Sequence, residues 1–280
     1  MRKTFRVGGG RSWSALGVLL WTMAFLFIID KVSAVWFGND FLRRYLLLSV
    51  GDLGEGKLWQ LLTYLFVHDD FWHIFCNGLV LFFVGRLIEQ KYGKGRLLEI
   101  FFVSGFLGAL AWFFLHSKQP YVALLGASAG CSGVFSYFCL TCENRSIIFL
   151  LFFIIPVRLK PRLFLALWAI FEIYCLFVQE LGGRFIANSA HLGGMLGGCM
   201  GYFFYKYRQN YMRIVKEKLT RIPQTMHSMR SDNYKLYITS HLAKRREVDR
   251  ILDKINEHGF KSLSEGEKNT LNAAKHIMHR

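Results

Sequence analysis

Four side chains stand out by type and setting. Ser128 follows Gly126-Ala127, His191 opens a run of glycines, and His73 and Asn77 are spaced i, i+4, which puts both on one helix face. All sit in apolar stretches, where a hydrogen-bonding or ionisable group is costly and is by default a functional hypothesis. A serine hydroxyl becomes a nucleophile only beside a base, and the oxyanion of acyl transfer needs donors. His191 can serve as that base. Asn77, His73 and the backbone N–H of Ser128 can serve as donors, and Ser128 at a helix N-terminus also gains the positive end of the helix dipole. Each residue also has a plain explanation: a serine bonding back to its own helix, an interfacial histidine, glycines that only let helices pack. The joint pattern is what argues for chemistry.

Other chemistries fit less well. Cys139 and Cys142 form a C-x-x-C without a second pair, and all six cysteines lie in or beside apolar segments, so they read as reduced packing residues. No His-Glu-x-x-His for zinc and no Gly-x-Gly-Asp for a carboxylate pair occurs. Gly126 to Gly130 spells Gly-x-Ser-x-Gly, but a nucleophile elbow needs a strand before it in an α/β sheet. No cofactor and no metal are expected.

The elements that carry these residues are membrane helices. The 280 residues are 53% hydrophobic and 16% aromatic, with 27 Phe and 26 Gly, and only 19% are charged against about 25% in a typical soluble domain. A secreted disulfide scaffold and a disordered chain are both excluded. The net charge of +16 is assigned to cytoplasmic loops of a membrane protein rather than to nucleic-acid binding. Six segments reach the required length, approximately Trp13 to Trp36, Phe71 to Gln90, Leu97 to His116, Leu124 to Cys142, Leu163 to Leu181 and Ser189 to Tyr205. The first lacks a cleavage site and is expected to remain as an anchor. Lys and Arg concentrate before the first span (Arg2, Lys3, Arg6, Arg11), between the second and third (Lys91, Lys94, Arg96), and between the fourth and fifth (Arg145, Arg158, Lys160, Arg162). These are alternate loops, so both termini are expected in the cytoplasm.

Ile147 to Val157 is apolar but too short to cross, and basic residues flank it; it is expected at the cytoplasmic interface. The chain therefore divides into a cytoplasmic N-terminus (1–12), a six-helix membrane domain (13–205) and a basic cytoplasmic tail (206–280) with 17 Lys+Arg and 8 Asp+Glu. In the tail, Val248, Ile251, Leu252 and Ile255 repeat at helical spacing until Gly259, and Ser264 with Glu267 makes a capping-box signature for a second helix. The glycines at 193, 194, 197, 198 and 201 are expected to press the sixth helix against the fourth, at Ala129, Gly130 and Gly133.

Together, His73-Ile-Phe-Cys-Asn77, Gly85-Arg86-Leu-Ile-Glu89, Gly126-Ala-Ser128 and Ala190-His191-Leu-Gly-Gly194-Met-Leu-Gly-Gly198 resemble the rhomboid family of intramembrane serine proteases, in the family's order and over roughly Leu58 to Tyr205. The helical tail is similar to one found on some bacterial members. The resemblance implies an all-α, six-transmembrane-helix bundle in a bacterial inner membrane, acting on single-span membrane proteins. It implies Ser128 as nucleophile, His191 as general base, His73 and Asn77 as oxyanion-binding residues, and Arg86 and Glu89 as structural groups holding loops near the cytoplasmic end of the second helix. The family has Gly after its nucleophile and an aromatic four residues on, against which the His ring packs; here these are Ala129 and Ser132. A second registration, Gly130-Cys-Ser132-Gly133, makes Ser132 the nucleophile; the spacing to Asn144-Arg145 favours Ser128.

Two other functions compete. A catalytically silent relative binding membrane clients is kept open by the residues at 129 and 132. A transporter would use Glu172 in the fifth span, or Asp30 and Lys31 in the first, as an ion path. A bonded Glu172 facing the bundle is the plainer reading, and the chain lacks the inverted repeats of transporters.

Overall fold

The computed structural model describes residues 14–38, 40–119, 121–142, 146–151, 155–183, 186–220 and 246–275, in two compact units, Met1–Arg208 and Gln209–Arg280. The basic N-terminal residues and Asn144-Arg145 lie outside the described residues.

Helix α1 (Ala15–Phe37) is capped by Ser14, whose hydroxyl accepts the Gly17 N–H at 2.8 Å, and it ends at Gly38 in the left-handed region. The first turn of any helix leaves backbone N–H groups without intrahelical partners. Here Glu89 accepts two of them, from Ala15 (2.7 Å) and Leu16 (3.2 Å). Glu89 is thus structural, as expected, but it clamps the start of the first helix rather than a loop. Glu89 belongs to α2 (Phe71–Tyr92), which Asp70 caps and which carries a π turn at Leu81–Gly85. Next come α3 (Lys94–His116), α4 (Ser128–Thr141), α5 (Pro161–Glu180) and α6 (Asn188–Thr220).

Four of these, α1, α2, α3 and α5, are long and apolar enough to cross a membrane. The other two expected spans differ from the reading of the sequence. The fourth begins at Ser128, not Leu124, because Ala123–Leu124 (β2) pairs antiparallel with Leu48–Ser49 (β1). Its 14 residues rise about 21 Å, short of a hydrocarbon core of about 30 Å. Nine of them are buried, so α4 is wrapped by protein. The sixth is instead longer than expected, at 33 residues. The apolar run from Ile147, expected not to cross, forms strand β3 (Ile147–Leu151), which pairs antiparallel with β4 (Ile155–Leu159).

Helix α6 meets α4 and α3 backbone to backbone. A Cβ on Gly194 would strike the carbonyl of Ala129, one on Gly198 that of Gly133, and one on Gly193 would lie 2.6 Å from the carbonyl oxygen of Leu107 on α3. The expected α6–α4 seam is therefore present, and α3 completes it. In the second unit, a helix over 246–258 (α7) buries Ile251 and stops at Gly259, whose φ is +77°. Helix α8 (Glu265–Lys275) starts with the reciprocal bonds the capping box requires: Ser264 N–H to Glu267 at 2.9 Å and Glu267 N–H to the Ser264 hydroxyl at 3.3 Å. Lys254 of α7 pairs with the same Glu267 at 3.0 Å.

Because the obstacle at Gly194 is backbone, which cannot rotate away, Gly194→Val should destabilise the membrane unit by at least the upper part of the about 1–3 kcal/mol typical of overpacking. Gly201→Ala, whose Cβ would meet only side-chain atoms at 3.7 and 3.8 Å, should be near neutral. Thermal melting in detergent compares the two.

Candidate active site

Each candidate side chain is set by a local constraint. Ser128 opens α4 on a loop tied down at several points. The β1–β2 pairing holds Ala123–Leu124, Gly126 N–H bonds the Tyr64 carbonyl at 2.9 Å, and Ala127 N–H bonds His68 Nε2 at 3.3 Å. Gly126 has φ +108°, and a Cβ there would sit 2.5 Å from His73 Nε2. Only glycine lets the backbone turn toward Ser128 while His73 lies against it. His73 and Asn77 follow from the start of α2, where the Asp70 carboxylate accepts the His73 N–H at 2.9 Å. That bond holds the Asp70 carboxyl below its ordinary value. Asn77 is buried, its side-chain amide nitrogen has no partner among the described residues, and its backbone carbonyl accepts the Cys131 thiol at 3.5 Å, joining α2 to α4.

His191 lies in the first turn of α6. Two residues earlier, Ser189 donates its N–H (2.6 Å) and hydroxyl (2.5 Å) to buried Glu180 at the end of α5, which His116 of α3 approaches at 3.7 Å. Gly108 of α3 sits where its Cβ would meet both the Ala129 Cβ and the Ala190 carbonyl, neighbours of Ser128 and His191. This is how the side chain of Ala129 is accommodated: the opposing residue, Gly108, has none.

The result is a hydroxyl and an imidazole in bonding contact. His191 Nε2 lies 2.9 Å from Ser128 Oγ, across 63 residues of sequence. On the other ring nitrogen, His191 Nδ1 lies 3.1 Å from Glu172 Oε2 of α5. Ser128 and His191 line a cavity of about 300 Å³ with Asn77, Cys131, Ser132 and the aromatic rings of Phe135, Phe164 and Trp168. Ser132 lines the same cavity one turn further along α4, while the imidazole contact goes to Ser128. Such an arrangement can take a proton from Ser128 and offer the Asn77 amide to a developing oxyanion.

The expected residues Ser128, His191 and Asn77 thus line one cavity, and His73 lies beside it against Gly126. Glu172 is bonded and faces the bundle, as its plainer reading held, but its partner is the imidazole. Asp30 and Lys31 pair with each other at 3.3 Å, and Lys31 also bonds the Asp69 carbonyl at 2.7 Å, a local use of both charges. His68 and Glu180 went unnoticed in the sequence. Both lie in or beside connecting segments, where no helical period marks them.

Comparison with known proteins agrees with the geometry. Residues 55–208, more than half of the chain, match the family model described as Rhomboid domain, and residues 237–274 match one described as a family of unknown function. The chain is 32% identical over 150 residues to Rhomboid protease GluP of Bacillus subtilis (strain 168), covering 52% of this chain and 26% of that one. It is 22% identical over 194 residues to Rhomboid protease GlpG of Salmonella paratyphi A, covering 65% and 61%. It is also 39% identical over 54 residues, 19% of this chain and 15% of the other, to Inactive RHOMBOID-like protein 8 of Arabidopsis thaliana. The chain spans about a quarter of the first of these relatives and less than two thirds of the second.

The loop ahead of Ser128 carries a pH dependence. His68 accepts the Ala127 N–H on Nε2, and burial, followed by the nearby His73, pushes its pKa down from 6.5 to about 3. Between those values the unfolded chain binds a proton that the folded chain refuses, so stability is complete above about pH 6.5 and falls as pH drops toward 3, by up to about 1.4 kcal/mol per pH unit. Melting temperatures at about pH 7.5 and about pH 5 should diverge more for wild type than for His68→Gln, which keeps an acceptor without the titration.

Proposed function

The chain belongs to the rhomboid family, and from that premise we propose that it is an intramembrane serine endopeptidase that cleaves single-span membrane proteins. One observation carries the reading: the 2.9 Å contact between His191 Nε2 and Ser128 Oγ, made inside an aromatic-walled cavity. His191 takes the hydroxyl proton as Ser128 Oγ attacks the scissile carbonyl carbon. The carbonyl π electrons move onto oxygen, and the oxyanion accepts hydrogen bonds from the buried Asn77 amide, from His73 and from the Ser128 N–H. As the C–N bond breaks, the proton on Nε2 passes to the leaving amine; water then repeats the sequence on the acyl-enzyme.

The membrane setting completes the proposal. Six helices cross a bacterial inner membrane, α4 and α6 among them, with both termini in the cytoplasm and the basic tail there too. Water reaches the cavity from the opposite side, where α4 and α6 begin. Neither metal, cofactor nor nucleic acid takes part. A catalytically silent protein that binds membrane clients is the second reading, supported by Ala129 and Ser132 and by a relative named as inactive.

A fluorophosphonate probe on the purified chain, with cleavage of a model single-span substrate alongside, tests the assignment. Wild type and Ser132→Ala should label and cleave, while Ser128→Ala and His191→Ala should do neither. Asn77→Ala should lose about 10²–10³ in kcat, the cost of one oxyanion donor. Labelling lost only in Ser132→Ala moves the nucleophile, and a wild type that neither labels nor cleaves favours the client-binding reading.

A further inference from the structure

Glu172 lies in the middle of α5 and is only 6% exposed, yet both of its carboxylate oxygens have assigned partners. Oε1 accepts the indole N–H of Trp168, one turn earlier, at 2.9 Å. Oε2 lies 3.1 Å from His191 Nδ1. The indole is itself fixed, edge to face with Phe135 of α4 at 5.2 Å between ring centres. A buried carboxylate with no bonds would be strongly disfavoured; here one oxygen anchors it and the other is aimed.

The geometry points to Glu172 as the residue that positions His191, making the site a Ser128–His191–Glu172 relay of contacts instead of a two-residue pair. This rests on the hydrolytic reading above. For Nε2 to accept the Ser128 proton, the ring's own proton must sit on Nδ1, and a carboxylate acceptor at that nitrogen selects this tautomer. When Nε2 takes the Ser128 proton, the imidazolium lies against the carboxylate. When the leaving amine takes that proton back, the ring is neutral again, and Glu172 remains a carboxylate throughout. Trp168 and Glu172 thereby supply, from α5, the ring support absent at Ser132 of α4.

The test is a pH profile as well as a rate. Among the described residues, the other titratable groups beside the ring are His73 on α2, near enough to act on it electrostatically, and the thiols of Cys76 and Cys131 lining the cavity. These stay constant across the variants. With purified full-length chain, Glu172→Gln should lower kcat and the fluorophosphonate labelling rate by at least about 10²-fold, leave KM within about twofold, and move the acid limb of kcat/KM to lower pH, because the imidazolium loses its counter-charge. Glu172→Asp, which keeps the charge, should recover part of the rate. If Glu172→Gln fails to fold, Trp168→Phe takes its place: removing the indole donor concentrates charge on the carboxylate and should move the limb upward. A Glu172→Gln enzyme with wild-type rate and limb overturns the proposal, as does a rate loss with the limb unmoved in every folded variant. Those outcomes leave the protease reading intact so long as wild type cleaves and Ser128→Ala does not. A silent wild type defeats both.

Discussion

Everything at the site depends on how closely the backbone of α6 approaches α4. An imidazole reaches a hydroxyl on another helix only if the two axes lie nearer than ordinary side chains allow. Gly194 and Gly198 provide that approach, each set against a carbonyl of α4, while on α3 Gly193 faces the Leu107 carbonyl and Gly197 faces Ser104. In lipid, helices gain little from burying apolar surface against each other, so small residues and close contact must supply the association. The glycines therefore bind the bundle together and set the length of the Ser128–His191 contact in the same stroke. Gly108 extends the logic: three helices converge beside the two reactive residues because one of them has no side chain there.

Tight packing positions helices but leaves the nucleophile's loop to be fixed by polar contacts. Between α3 and α4 the chain makes a two-residue strand pairing, a glycine in positive φ, and bonds to Tyr64 and His68. Tyr64 is itself held by the Gly105 carbonyl at 2.7 Å, so the segment before α2 ties both the loop and α3. Buried backbone groups must find partners, and irregular chain inside a bundle is tolerated only where protein supplies them. The loop meets that demand with contacts that also orient Ser128.

Much of this was legible in the sequence, for a definable reason. Ser128, His191, His73 and Asn77 are conspicuous because polar groups are rare in apolar runs, and the glycine ladder announces its own seam. The tail's helices were legible from period and capping chemistry. What escaped depends on three-dimensional phase or on irregular chain. Ile147–Leu151 and Ile155–Leu159 form paired strands, where a short run of Ile, Phe, Leu and Val suits strand and helix alike. The fourth helix starts four residues after the apolar run that marks it, because β2 is as apolar as the helix it precedes. Glu172 was visible as a mid-span acid, but its partner was not, since that depends on how α5 is turned relative to α6.

That turn has a local cause. Glu172 bonds His191 and Glu180 bonds Ser189, so both carboxylates of α5 face the first turn of α6. Residues eight apart on an unbroken α-helix point about 80° away from each other at 3.6 residues per turn. Between them, however, α5 ends in a π turn over Leu176–Glu180, closed by Leu181 N–H to the Leu176 carbonyl at 3.0 Å. The wider turn rotates the chain less per residue and takes up the offset, bringing Glu180 back over the face that carries Glu172. A single added residue's worth of winding thus lets one helix grip its neighbour twice. One grip holds the backbone at Ser189, the other holds the ring two residues on, and together they hold the imidazole at both its root and its edge.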